Sequence, residues 1–336
     1  MRHIDSFCHF FPHSLFEMMS QTAGGTKDVG KRMQGVRTIW DLDARLRTMD
    51  EFKDYTQILS LGLPPIEGMV GPDRAPEFAR VANDGLAELV AKHPDRFAGW
   101  VGGLPMNAPD AAVKEAERIL VKGGANGLQL HTNVNGACLD DPRFFPIFEV
   151  AANSGLPVLL HPARTANVPD FPAETKSLYE IWVIFGWPYE TSATMARMIF
   201  SGLTTRLPNL KMLVHHLGAM IPFFDARIDT GWATLGSRTS DEDYSNILPS
   251  LGKPLLDCFK DFYADTALCG GRAGTVCGLE FYGVDHVLFA SDAPFGPEGG
   301  AGYIRSTIAV MESLDLSQAD KEKVCFRNAQ SLFRLA

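Results

Sequence analysis

Val287-Leu288-Phe289-Ala290-Ser291-Asp292-Ala293-Pro294-Phe295 is the stretch on which the fold turns. Its first four residues are apolar or small, the pattern of a short strand buried on both faces in a parallel sheet. Pro294 cannot continue a ladder, so the strand stops at or just after Asp292. A carboxylate is thereby left at the carboxyl end of a buried strand, where an isolated charge is costly unless a cation or several donors compensate it. Alone, the aspartate reads better as the cap of the next turn.

Other apolar runs end in the same way. Leu156-Pro157-Val158-Leu159-Leu160-His161-Pro162 closes on a histidine, and Leu210-Lys211-Met212-Leu213-Val214-His215-His216-Leu217-Gly218 closes on two. Near the start, Ile4-Asp5-Ser6-Phe7-Cys8-His9-Phe10-Phe11-Pro12 sets His9 at a strand-to-loop junction. Catalytic groups of a parallel barrel sit at the carboxyl ends of its strands. Histidines and an aspartate gathered there have the composition of a metal site.

Between these ends the pattern alternates. Strands are expected at 55–61, 97–103, 126–131, 156–161, 210–216, 262–266 and 287–292, besides the first. Helices are expected at 40–52, 76–92, 108–121, 142–153, 190–200, 221–235, 275–282 and 320–335. Eight strands alternating with helices, without a linker-like segment, give a single (β/α)8 barrel domain over residues 1–336. Residues 13–38 break the rhythm with Gln21-Thr22-Ala23-Gly24-Gly25-Thr26-Lys27 and the basic Lys31, Arg32 and Arg37. They read as an insertion after strand one, folded as a lid over the barrel mouth. Residues 163–187 form a second long connection.

Composition excludes several function classes. The chain has 336 residues, 46% hydrophobic and 21% charged, with a net charge of −9, which argues against nucleic acid or an anionic membrane as partner. No apolar run reaches the ~20 residues needed to cross a bilayer, and Met1-Arg2-His3-Ile4 enters a strand without a signal-peptide core. The 6 cysteines lack CxxC spacing. A reducing cytoplasm is the expected location.

The wording of these segments resembles the amidohydrolase superfamily, in the amidohydrolase-related branch of aminocarboxymuconate-semialdehyde and resorcylate-type decarboxylases. The resemblance runs through Ile4-Asp5…His9-Phe10-Phe11-Pro12, Asp141-Pro142-Arg143-Phe144-Phe145-Pro146 and His161-Pro162. It continues through Gly186-Trp187-Pro188-Tyr189-Glu190-Thr191, His216-Leu217-Gly218, Leu288 to Phe295 and Asn328-Ala329…Leu332-Phe333. It implies one divalent metal, zinc or else manganese, held by His9, His161 and Asp292. His216, with Asp292, would serve acid–base chemistry, and His215, on the other face of its strand, would point away. Phe7 stands where the family carries the first histidine of a His-x-His pair, and Cys8 faces the other way. On the face shared with His9, Phe7 would lie beside the metal and offer a flat substrate a stacking surface. Its other reading is packing of the barrel core. Ala219 sides with the aminocarboxymuconate type, because resorcylate-type enzymes have glutamate there. Arg227 would reach a partner subunit's site in a homodimer and clamp a carboxylate, and Arg164 is a second candidate clamp.

The activity implied is that of a metal-dependent non-oxidative decarboxylase, a carboxy-lyase acting on a small aromatic or unsaturated carboxylic acid. Two alternatives stand beside it. One is a metal-dependent hydrolase or hydratase acting on a lactone, amide or ring-cleavage product. The other is a metal-free barrel that has lost its first-strand ligand.

Overall fold

Short runs of largely buried residues make the strands. In the computed structural model, which describes residues 1–237 and 241–335, they surround one axis. Residues 238–240 and Ala336 of the single domain expected from sequence lie outside the described residues. The strands are β1 His3–His9, β2 Tyr55–Ser60, β3 Phe97–Trp100 continued by Gly102–Gly103, and β4 Leu128–His131. There follow β5 Val158–His161, β6 Met212–Val214, β7 Tyr263–Asp265 and β8 Val287–Leu288. Every pairing from β1 through to β8 is parallel and between neighbours in chain order, as short right-handed crossovers require. The β8–β1 seam closes without a regular ladder. Ser6 N–H donates to Phe289 O (2.9 Å) and His9 N–H to Ala293 O (2.7 Å). Asp5 accepts from Ser291 N–H (3.0 Å) and from the Ser291 hydroxyl. The molecule is a (β/α)8 barrel.

Two cores follow from the alternation of side chains across each strand. Ile4, Phe7, Ile58, Leu159, Leu213 and Leu288 fill the barrel interior, and Leu332 and Phe333 of the last helix join them. The larger core lies between strands and helices. β1 carries a register shift between Asp5 and Cys8, so Ile4 and Phe7, three apart, both enter the interior while Cys8 packs outward.

Residues 13–38 fold as α1 His13–Ser20, α2 Ala23–Thr26 and α3 Asp28–Gly35, and Arg32 and Met33 of α3 reach the barrel mouth. The next helix, α4 Leu42–Met49, is capped by Asp41 accepting from Ala44 N–H (2.9 Å). Its inner face is not purely apolar, since Arg45, only 1% exposed, is buried there with Met49 while Leu42 and Leu46 are half-buried. The barrel helices α5 Ala75–Lys92, α6 Pro109–Glu117, α7 Phe145–Ser154 and α8 Trp187–Phe200 follow the expected order, as do α9 Asp225–Trp232 and α10 Arg272–Tyr282. The left-handed Gly155 (φ 67°) stops α7. The sequence reading assigns nothing between Asp292 and Asp320, yet α11 occupies Ala301–Ser313. Its glycine-rich onset masks the helical spacing of Ile304, Thr307 and Met311, which are buried. Among the described residues no helix is long and apolar enough to cross a membrane.

Candidate metal centre

The carboxyl ends of β1, β5, β6 and β8 bring His9, His161, His215, His216 and Asp292 together. His9, His161 and His215 each offer a donor atom, all within 4.8 Å of one another, and His215, His216 and Asp292 form an overlapping group of the same compactness. Each imidazole is oriented by a partner on Nδ1. His9 Nδ1 lies 2.8 Å from Leu61 O, His161 Nδ1 2.7 Å from Pro162 O, and His216 Nδ1 2.7 Å from Ala267 O. A carbonyl only accepts, so these three rings carry Nδ1–H and turn Nε2 toward the site. His215 Nδ1 instead meets the carboxylate of Asp265 at 2.6 Å. Asp265 is held in turn by the N–H groups of His216 (3.1 Å) and Ala267 (3.0 Å).

The position of His215 corrects the expectation drawn from strand alternation. The β6 ladder ends at Val214, and His216 takes a left-handed backbone (φ 58°), followed by Leu217 (φ 54°). Alternation holds only while the extended conformation lasts. Once it breaks, neighbouring side chains converge, and the His215 and His216 rings stand 3.8 Å apart, centroid to centroid. Far from pointing away, His215 reaches Asp292 with Nε2 (3.3 Å). Asp292 itself sits at φ 65°, and left-handed non-glycine residues of this kind gather at functional sites.

Charge in the cluster follows from burial and neighbours. Burial works against a charge on His215, but the carboxylates of Asp265 and Asp292 outweigh it and its pKa is pushed up to about 10. Burial, aided by the charge of His215, lowers His216 to about 4. Burial and the surrounding imidazoles hold His161 well below the ordinary histidine range. For Asp292, hydrogen bonds and charge from the histidines overcome burial and keep the carboxyl below the usual carboxylate range. His161 and His216 are thereby held neutral beside the Asp292 carboxylate, the protonation state in which such groups bind a cation, while His215 is charged between Asp265 and Asp292 and must release its proton to an incoming ion. His9 Nε2 is buried without a hydrogen-bond partner, although Asp292 Oδ1 is 3.3 Å away. A buried nitrogen lone pair left unused costs free energy unless something occupies it.

Above the cluster lies a cavity of about 320 Å³ whose wall includes His161, His216, Asp292, Trp187, Phe295 and Tyr303. Arg32, from the insertion, also lines it, with its guanidinium 5.4 Å from the centre of the Phe295 ring. The other expected substrate contacts fall elsewhere. Phe7 is fully buried beneath the imidazoles and absent from the cavity wall, because its ring stacks on His215 at 4.1 Å. Arg164 donates to Pro169 O (3.3 Å) beside Gly186 and does not line the cavity. Arg227 is exposed on α9 and lines an outer groove with Tyr189, Met220, Phe224 and Trp232. The sequence reading passed over Asp265 and His131, although both end strands. His131, lowered to about 3 by burial, has its ring 5.6 Å from His161. The strand-end rule that selects His161 would also have found them; Arg32 carries no comparable signal.

Known proteins share this arrangement of strands. The chain is 36% identical over 194 residues to 2-amino-3-carboxymuconate-6-semialdehyde decarboxylase of Dictyostelium discoideum, a match covering 57% of this chain and about half (52%) of that protein. It is 30% identical over 308 residues to gamma-resorcylate decarboxylase of Rhodococcus jostii (strain RHA1), covering 87% of each. A crystal structure of dihydroxybenzoic acid decarboxylase from Polaromonas sp. JS666, with bound manganese and the inhibitor 2-nitroresorcinol, superimposes with a TM-score of 0.76 at 27% identity. That match covers 99% of this chain and 97% of the other. A sequence model of the amidohydrolase family matches residues 4–335. That span takes in every strand but for the first residue of β1, and each strand-end donor, and the chain therefore belongs to the amidohydrolase family.

Proposed function

We propose that this protein is a metal-dependent non-oxidative decarboxylase of a small aromatic carboxylic acid. The observation that carries the reading is a buried set of imidazole and carboxylate donors opening into a cavity walled by aromatic rings and one arginine. Two of the named relatives decarboxylate aromatic acids of this kind, and the third acts on an open-chain unsaturated acid. A divalent ion on His9, His161 and Asp292 would supply Lewis-acid chemistry, binding the substrate's carboxylate and drawing charge from it. Zinc and manganese both suit imidazole and carboxylate donors; manganese is the ion in the Polaromonas enzyme.

The residues divide the remaining work. Trp187 and Phe295 provide flat apolar walls for an aromatic ring. Arg32 faces the same space with a permanent positive charge suited to a carboxylate. In the reaction the bond from ring carbon to carboxylate breaks, its electron pair stays on the carbon, a proton takes it up, and CO2 leaves. His216, with Nδ1–H fixed on Ala267 O, has Nε2 free to take a proton from the substrate and return it to that carbon. Asp292, an anion, shares this relay. Residues 13–38 act as a lid on the single barrel domain, a role supported by Arg32 and Met33 in the cavity wall. The cysteines are free thiols, in keeping with a cytoplasmic location.

Metal analysis of purified protein joined to CO2 release from a panel of hydroxylated benzoates and muconates tests the proposal. About one equivalent of metal is expected, with CO2 release lost on chelation and restored by the ion. In the same assay Arg32→Ala should lower kcat/KM by about 10- to 100-fold, the value of a charge-assisted hydrogen bond, mostly through KM. Arg164→Ala should change it less than about twofold. Metal-loaded protein that releases no CO2 from any of these acids counts against the reading.

A further inference from the structure

The donor atoms around the site do not stop at His9, His161 and Asp292. We infer that His215 is a further protein ligand of the ion, extended from β6 with Asp265 fixing its ring from behind and Phe7 supporting its face. The inference rests on the metal reading proposed above.

Three observations carry it. First, donor spacing: His9 Nε2 and His215 Nε2 are each 3.3 Å from Asp292 Oδ1, and two donors ~2.1 Å from one tetrahedral ion stand ~3.4 Å apart. His9, His161 and His215 fall within 4.8 Å of one another, so an ion among these three imidazoles would have the Asp292 carboxylate on its His9–His215 side. Second, the partner on Nδ1 has the form of a ligand's support. Asp265 is fully buried, lies 2.6 Å from His215 Nδ1, and is itself pinned by two backbone N–H groups. A carboxylate behind a histidine fixes the ring and raises the basicity of the metal-facing nitrogen. Third, β1 supplies only one donor at this level. Phe7 shares the interior with His9 but offers no lone pair, and its ring lies 4.1 Å from that of His215 at an interplanar angle of 28°. The phenyl ring thus packs against the face of an imidazole whose edge is aimed at the site. A histidine retained only for packing would not need a buried carboxylate on one nitrogen and the site's aspartate on the other.

The chemical consequence is a site of three imidazoles and one carboxylate, with His216 left free of the ion to handle protons. Phe7 then has a place in the metal centre without touching the ion.

The test reads metal binding rather than turnover. Manganese-loaded wild-type protein examined by pulsed electron paramagnetic resonance should show three directly coordinated imidazole nitrogens; two would overturn the inference. Chelator competition with manganese should show His215→Asn weakened by more than about 100-fold, and Asp265→Asn by about 10- to 100-fold. The Phe7 ring is 5.5 Å from that of His9 and 5.8 Å from that of His161, within reach of the same ion. Adding Phe7→His to His215→Asn should therefore recover at least about tenfold of the lost affinity, which a packing role for His215 does not explain. A His215→Asn protein with wild-type affinity refutes the ligand role while leaving the metal reading intact. Wild-type protein that takes up no manganese or zinc refutes both.

Discussion

Glu67, 5% exposed, has one carboxylate oxygen without a hydrogen-bond partner, in a small pocket shared with Gln129 and His131. Burial pushes its pKa up to about 8 from an ordinary 4.5. Between those two values the folded protein holds a proton that the unfolded chain releases, so stability falls as pH rises through this window. Below it the two states are equally protonated; above it the loss is complete, at most ~5 kcal/mol at ~1.4 kcal/mol per pKa unit. Glu67→Gln carries no such charge. Its stability margin over wild type, from denaturant midpoints at pH 5, 7 and 9, should widen steadily with pH. A constant margin would mean that Glu67 is solvated when ionised. Arg32 shows the converse at the same scale, an exposed surface cation in sequence that the insertion carries to the cavity wall.

Among the elements, α4 and β1 are joined by a contact that helical periodicity does not suggest. Arg45 projects from α4 beneath the end of β1, donating to Thr38 O (2.9 Å), to Gln57 Oε1 (3.0 Å) and to the carbonyl of His9. It ties the end of the insertion to the strand that presents His9, and its planar fork meets three acceptors in fixed directions. Arg45→Ala leaves those buried acceptors unpaired and opens a cavity, at an expected cost of ~3–5 kcal/mol in chemical denaturation. Arg45→Lys should recover less than half of that, since one ammonium cannot span the three directions. A loss under ~1 kcal/mol would show that water replaces the side chain without consequence.

At the scale of the whole molecule, one outer face is richer in apolar groups than a free surface needs. Phe223 is 76% exposed and Tyr189 59%, and they flank the α8–α9 region whose groove of about 780 Å³ includes Arg227. Exposed aromatics beside a groove are the kind of face through which proteins associate, and we propose it as the seam of the homodimer that the family resemblance implies, with Arg227 serving the partner's site. Light scattering should then give twice the chain mass, and Phe223→Asp should shift the protein toward monomer. Arg227→Ala should leave the dimer intact while lowering kcat/KM. A fully active monomer removes this role for Arg227.

Much of this was legible in the chain itself. Short doubly buried runs separated by amphipathic helices specify parallel strands and crossovers, and polar residues closing such runs specify which end carries chemistry. His9, His161, His216 and Asp292 were found by that rule because a strand keeps its direction whatever surrounds it. The face that a side chain takes after the ladder stops is another matter. His215 and His216 are adjacent in sequence, and only the left-handed backbone at His216, with its N–H held by Asp265, decides that both rings meet the site. Arg45 and Arg32 likewise read as surface cations until packing buries one and the folded insertion carries the other to the cavity. Periodicity encodes local geometry one element at a time; the acceptors, carboxylates and cavity walls that give these residues their roles come from strands and loops distant in the chain, and only the closed barrel brings them within bonding distance.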